Sequence, residues 1–255
     1  MAQFDTAVRR QGAYAQQIDA GLRAHMNSIY SYMGIAMLVT GVVAYVFGMD
    51  LLAAMQGQST MLIPVSALSV LFSSPMVYVI MFSPLAIVFL FGAMVHRMNA
   101  GAAQGVFWLF AALMGLSLST IFVRFTGISI AQTFFATAVA FLGLSLYGYT
   151  TKRDLSGMGS FLIMGVIGLI VASLINIFLQ SSALQFAVSL LGVLIFAGLT
   201  AYDTQRLKSE YVMIAQGGGT AQMLQASAIS GALSLYLNFL NMFMFLLQFM
   251  GAARE

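Results

Sequence analysis

Cysteine is absent from the 255 residues and charge is nearly so, with ten Lys or Arg and seven Asp or Glu making up 7% of the chain. Without cysteine there is no disulfide framework, no thiolate nucleophile and no cysteine-ligated metal. A soluble domain carries about 25% charged residues, so a water-facing surface cannot be built from this composition. The net charge of +3 reports topology in such a chain rather than nucleic-acid binding, and no basic patch suited to a phosphate backbone is present. What fills the chain instead is apolar: 61% hydrophobic residues and a mean hydropathy of +0.95.

The few charges are clustered, leaving charge-free runs at 51–96, 98–123, 125–151, 155–202 and 211–253. Each exceeds the ~20 residues that cross a ~30 Å hydrocarbon core. The composition predicts an all-α integral membrane protein. Residues 1–27 read as a polar cytosolic tail, followed by a seven-span membrane domain over 28–251. The spans fall near 28–48, 77–95, 105–125, 130–150, 158–180, 184–203 and 226–250. The first apolar run is too long and too far from the start for a cleaved signal peptide. Residues 51–76 mix apolar side chains with serines, Pro64 and Pro75, and read either as an interfacial, partly re-entrant segment or as a folded-over apolar loop. Pro84 inside the second span is expected to kink it.

Positive charge sets the orientation. With seven spans, one side receives Arg9, Arg10, Arg23, Arg97, Lys152, Arg153, Arg206 and Lys208, and the other only Arg124 and Arg254. That asymmetry places the N-terminus in the cytosol and the C-terminus outside. A six-span alternative, with the last segment re-entrant, would return Arg254 to the cytosol.

Polar groups in hydrocarbon are costly, so their positions are informative. In the last span Ser227, Gly231, Ser234, Asn238, Asn241, Phe245 and Gln248 recur at steps of 4, 3, 4, 3, 4 and 3, which puts them on one helical face. The stripe fits either tight packing through small residues and interhelical amides or a helix lining a hydrated path. Asp203 closes the predicted sixth span and reads either as a solvated carboxylate paired with Arg206 or as a functional in-span acid. Gly34, Gly41 and Gly48, seven residues apart, suggest a packing groove, and Asn176 an interhelical hydrogen bond. His25 and His96 read as isolated surface residues with no second ligand at metal spacing. Neither a catalytic triad nor a phosphate-cradling glycine loop nor a metal cluster is visible, so no enzyme, cofactor or metal is expected.

Four segments then resemble the Bax inhibitor-1 family, in its bacterial branch. They are Ala111–Leu118 (AALMGLSL), Leu146–Ser156 (LYGYTTKRDLS), Ala201–Gln205 (AYDTQ) and Gly231–Leu237 (GALSLYL). The resemblance runs from about residue 26 to 251. It implies seven helices, the last one central and wrapped by the other six in two groups of three. It also implies a calcium-permeable, pH-sensitive leak in the bacterial cytoplasmic (inner) membrane. In such relatives two aspartates share a proton and latch to an arginine of the second helix. Asp203 matches the first aspartate, and Arg97 is the candidate for the latch. At the second position, where the family motif has aspartate, this chain carries Asn238. Two carboxylates in contact cannot both ionise cheaply, whereas an amide beside a carboxylate has no such repulsion. A weakened pH response is therefore expected. The expected path residues are Asp203, Asn238, Asn241 and Ser234, and the expected partners are the lipid bilayer and calcium or another cation. The competing expectation is a non-conducting regulator that binds a membrane-anchored quality-control protease.

Overall fold

The computed structural model describes residues 2–73, 75–95 and 98–254, with side chains described from residue 18 onward. Among these residues the regular structure is all helix, apart from one isolated antiparallel bridge between Phe125 and Ala253. The helices are α1 (Ala2–Met55), α2 (Val65–Phe72), α3 (Met76–Met94), α4 (Ala100–Leu118), α5 (Ile121–Arg124), α6 (Gly127–Thr150), α7 (Ser156–Leu179), α8 (Ser182–Gln216) and α9 (Ala221–Met250). Seven segments are long and apolar enough to cross a membrane: Ile18–Met55, Met76–Met94, Ala100–Arg124, Gly127–Thr150, Ser156–Leu179, Ser182–Gln216 and Ala221–Met250. This is an all-α membrane protein.

The termini of the helices follow local chemistry. Asn99, Thr126, Ser181 and Thr220 accept from backbone N–H groups at the starts of α4, α6, α8 and α9, satisfying donors that have no partner within the helix. In α3 the ring of Pro84 removes the N–H that would reach Ile80 O. The Ser83 hydroxyl donates to that carbonyl at 3.1 Å, and α3 continues through the proline.

α9 is the centre. In its most apolar stretch 61% of residues are buried, against 11–39% in the other six spans. It packs on α8, α1, α6 and α4. Around it α1 and α3 pack on α4, while α6 and α7 pack on α8, so the six outer spans form two groups of three. A helix buried all round need not be amphipathic, which is why Leu233, Leu240 and Leu247 are as buried as Asn238. α9 is one continuous helix of 30 residues, roughly 45 Å long at 1.5 Å per residue. It is therefore long enough to cross the membrane without a break.

Three boundaries differ from the sequence reading. The expected tail and first span are one helix, because Ala, Gln, Arg and Met favour helix and no proline occurs before Pro64. Leu22, His25, Met26 and Ile29 continue a buried face below the apolar run. The helix of the sixth span does not end at Asp203: α8 runs on to Gln216 because Thr204, Leu207 and Tyr211 extend its buried face at helical spacing. Of residues 51–76, the first five complete α1 and 56–63 fold back over its end. The buried Asp50 carboxylate accepts the N–H groups of Met61, Leu62 and Ile63 at 2.7, 3.0 and 2.7 Å, pinning the segment that leads into α2.

Two glycines mark close helix crossings. A Cβ on Gly115 would lie 2.6 Å from Thr40 O of α1. A Cβ on Gly148 would fall on the Ala201 carbonyl of α8. Of the supposed groove, Gly48 does pack, against Phe122 and Ser119, whereas Gly34 and Gly41 face open space. Gly148→Ala is expected to destabilise by about 1–3 kcal/mol through overpacking, despite a helix-propensity gain of up to about 1 kcal/mol. Gly34→Ala is expected to be neutral or stabilising. Thermal unfolding of the purified protein in detergent distinguishes the two.

Candidate functional site

The polar stripe of α9 is the seam against α8. Six of its seven residues meet that helix, at successive levels. The Ser227 hydroxyl donates to Glu210 at 2.7 Å, and Gly231 lies under Leu207. Ser234 receives a 3.4 Å contact from Arg206. Phe245 stacks on Phe196 at 5.9 Å and covers Gly192. The Gln248 carbonyl accepts from Gln185 at 3.2 Å and Ser189 at 3.4 Å. In hydrocarbon each of these polar groups needs a protein partner, and α8 supplies them in register.

At the level of Asn238 the seam holds a charge. Asp203 is 7% exposed. Asn238 Nδ2 donates to its Oδ2 at 2.7 Å, and Arg206 Nη2 pairs with its Oδ1 at 3.0 Å. The i,i+3 spacing puts Arg206 on the same face of α8, while the antiparallel α8–α9 pairing brings Asn238 across from the other helix. The Arg206 side chain is 45% exposed, and its guanidinium lies 5.9 Å from the Tyr202 ring centroid. The acid is thus buried but closed on one side by a cation that still reaches outward. The solvated-carboxylate reading fails on burial, because α8 continues past Asp203, although the Arg206 pairing it proposed is present.

Of the expected site residues, the fold brings Asp203, Asn238 and Ser234 together, with Arg206 completing the cluster. Arg97 and His96 lie outside the described residues. Asn241 does not join: its Nδ2 donates to Leu237 O at 2.8 Å within α9. It borders a cavity of about 380 Å³ with Asn176, Gln185 and Gln248. There Asn176 Nδ2 donates to Gln185 Oε1 at 3.1 Å, the interhelical bond expected of it. His25 is not at the surface. It is 7% exposed with its ring 5.1 Å from Tyr211, because the helical tail carries it against the extension of α8.

The four sequence motifs are the places where these helices touch. Thr40 Oγ1 donates to Ala111 O at 2.9 Å and lies 2.6 Å from the Tyr236 hydroxyl, joining α1, α4 and α9. Gln205 holds the 151–155 loop, donating to Arg153 O at 2.9 Å and accepting from Leu155 N–H at 2.8 Å. In that loop the hydroxyl and N–H of Ser156 hold the Asp154 carboxyl below the usual carboxylate range. Thr204 donates to Thr200 O at 2.8 Å and lies 3.0 Å from the Ser145 hydroxyl, which in turn bonds Tyr30. This last chain, linking α8, α6 and α1, was not evident from sequence, since single hydroxyls on apolar helices carry no pattern. Among the described residues no group of three His, Asp or Glu could hold a metal ion.

A seven-span α-helical protein with a buried central helix, carrying a buried acid against that helix, defines the class. The chain belongs to the Bax inhibitor-1 family: the family model described as "Inhibitor of apoptosis-promoting Bax1" matches residues 22–255. It is 46% identical over 243 residues to an uncharacterized protein of Caulobacter vibrioides, covering 93% of this chain and 92% of that protein. It is 43% identical over 237 residues to an uncharacterized protein of Rickettsia prowazekii, covering 93% of each. It is 41% identical over 236 residues to the inner membrane protein YbhL of Escherichia coli, covering 92% of this chain and 94% of that protein.

A double-mutant cycle on Asp203→Asn and Asn238→Leu is expected to give a coupling of about 1–2 kcal/mol, as for an amide bonded to a charged group within a helix interface. Unfolding in detergent measures it, and a coupling indistinguishable from zero would mean that the contact contributes no stability.

Proposed function

We propose that the protein is a non-enzymatic cation leak of the bacterial inner membrane, calcium-permeable and only weakly gated by pH. Its N-terminus lies in the cytosol and its C-terminus outside. The observation that carries this reading is the relation of the outer cavity to Asp203. The cavity bordered by Asn176, Gln185 and Gln248 reaches inward to Asn241. Asn241 stands three residues, about 4.5 Å of rise, from the Asn238–Asp203 contact. Amide oxygens and one carboxylate are hard oxygen ligands of the kind calcium takes. Asp203 then forms the inner end of the path, with Arg206 holding it closed from the exposed side.

The weak pH response follows from Asn238. An amide does not titrate, so the Asp203–Asn238 contact has no second carboxyl with which to share a proton. The orientation is supported by the charge asymmetry. It is also supported by the meeting of Arg124 and Arg254, which the fold places side by side, with Arg254 N–H donating to Arg124 O at 2.9 Å.

Calcium flux into liposomes containing only the purified protein tests the reading. Wild type is expected to conduct with little difference between pH 6 and pH 8. Asp203→Ala is expected to reduce flux about tenfold, corresponding to roughly 1.4 kcal/mol at the carboxylate. Asn238→Asp is expected to make flux steeply pH-dependent. Flux no greater than in empty liposomes overturns the proposal. Absence of flux with a co-purifying membrane-anchored protease would favour the regulator.

A further inference from the structure

A groove separates α1 from α6, and it has two parts of different chemistry. The first, about 610 Å³, is apolar and is lined by Gly34, Gly41, Tyr45, Phe134 and Phe141, with Phe239 of α9 at its floor. The second, about 520 Å³, is lined by Arg23, Asn27, Ser145 and Tyr149. Tyr30 and Leu142 border both, so the two are continuous. The concavity exists because Gly34 and Gly41 share a helical face and a Cβ at either would meet nothing within 4 Å. Along α1, Tyr30 to Tyr45 measures roughly 22 Å, more than half of a ~30 Å hydrocarbon core. Both volumes lie within the range of about 300–1,000 Å³ typical of small-molecule sites.

We propose that this groove binds one anionic phospholipid, with an acyl chain along Gly34 and Gly41 and the phosphate at Arg23 and Asn27. The wall chemistry fits a tail, and the rim chemistry fits an anionic headgroup. Arg23 is exposed at the polar end. Lys208 reaches the same rim, its ammonium 5.3 Å from the Tyr149 ring centroid and donating to Tyr149 O at 3.1 Å. Lys152 and Arg153 follow in the adjoining loop. Asp19, one turn before Arg23, forms no ion pair with it among the described residues. A cluster of basic side chains beside an apolar slot selects an anionic lipid over a zwitterionic one. In the groove this tail would touch the central helix at Phe239. The inference stands on the groove alone and is independent of ion conduction.

The full-length protein is reconstituted in bilayers of equal phosphatidylglycerol and phosphatidylcholine, and the lipid retained after detergent extraction is identified by native mass spectrometry. One tightly retained lipid per chain is expected, with phosphatidylglycerol favoured. Arg23→Gln is expected to lower that preference about fivefold without emptying the groove. The double variant Gly34→Leu/Gly41→Leu, which fills open space, is expected to lose the retained lipid while melting like wild type. Equal retention of the two lipids by wild type would overturn the proposal, as would wild-type retention in the leucine variant. Because the chain lacks cysteine, a lone Val42→Cys on the groove wall reports whether a second copy occupies it instead. Efficient cross-linking of two chains at this position in the same bilayers would also overturn the lipid assignment.

Discussion

In hydrocarbon a polar group must find its partner within the protein, and the architecture of this chain is arranged around that constraint. Its central helix α9 carries the polar stripe of the sequence. The partner for nearly every level of the stripe is α8, from Ser227 on Glu210 at one end to Gln248 on Ser189 at the other. The seam fixes the register of the two helices. A shift of one turn would part Asp203 from Asn238. The remaining spans complete the burial of this pair: α1 and α6 by direct contact with both helices, α4 by packing on α9 and α7 on α8, and α3 by packing on α4.

The packing of the stripe changes with depth. At the levels of Ser227 and Gly231 the seam is filled, by Glu210 and Leu207 of α8. Around Asn241 it opens into the cavity shared with Asn176 and Gln185. Between the filled and open regions sits the one buried carboxylate of the seam, held by Asn238 and Arg206. Its arginine comes from its own helix, three residues on, so acid and cation are locally encoded, and only the amide depends on tertiary pairing.

The same economy accounts for the motifs. Gly115 and Gly148 permit backbone approach to α1 and α8, and Thr40, Tyr236 and Gln205 convert those approaches into hydrogen bonds across helices. What makes the motifs recognisable is geometry at crossings more than chemistry at a reacting centre. Asp50 plays the corresponding part for the connection after α1. One buried carboxylate gathers three successive N–H groups and thereby shapes a segment whose composition alone was ambiguous.

Composition and hydropathy alone determined the class, the number of spans and the face of the last helix that carries polarity, because each follows from the local cost of placing charge or amide in hydrocarbon. The sequence also singled out Asp203 and Asn238. It did not show how far the helices of the first and sixth spans extend, because there the buried face continues through polar surroundings, as with His25 beneath Tyr211 and Leu207 beyond Asp203. The tertiary structure alone decided that Asp203 is buried rather than solvated, that Asn241 stands apart from it, and that Gly34 and Gly41 open a groove instead of closing a contact. Those outcomes depend on which helix lies opposite, and helical periodicity specifies a residue's own face but not its neighbour's.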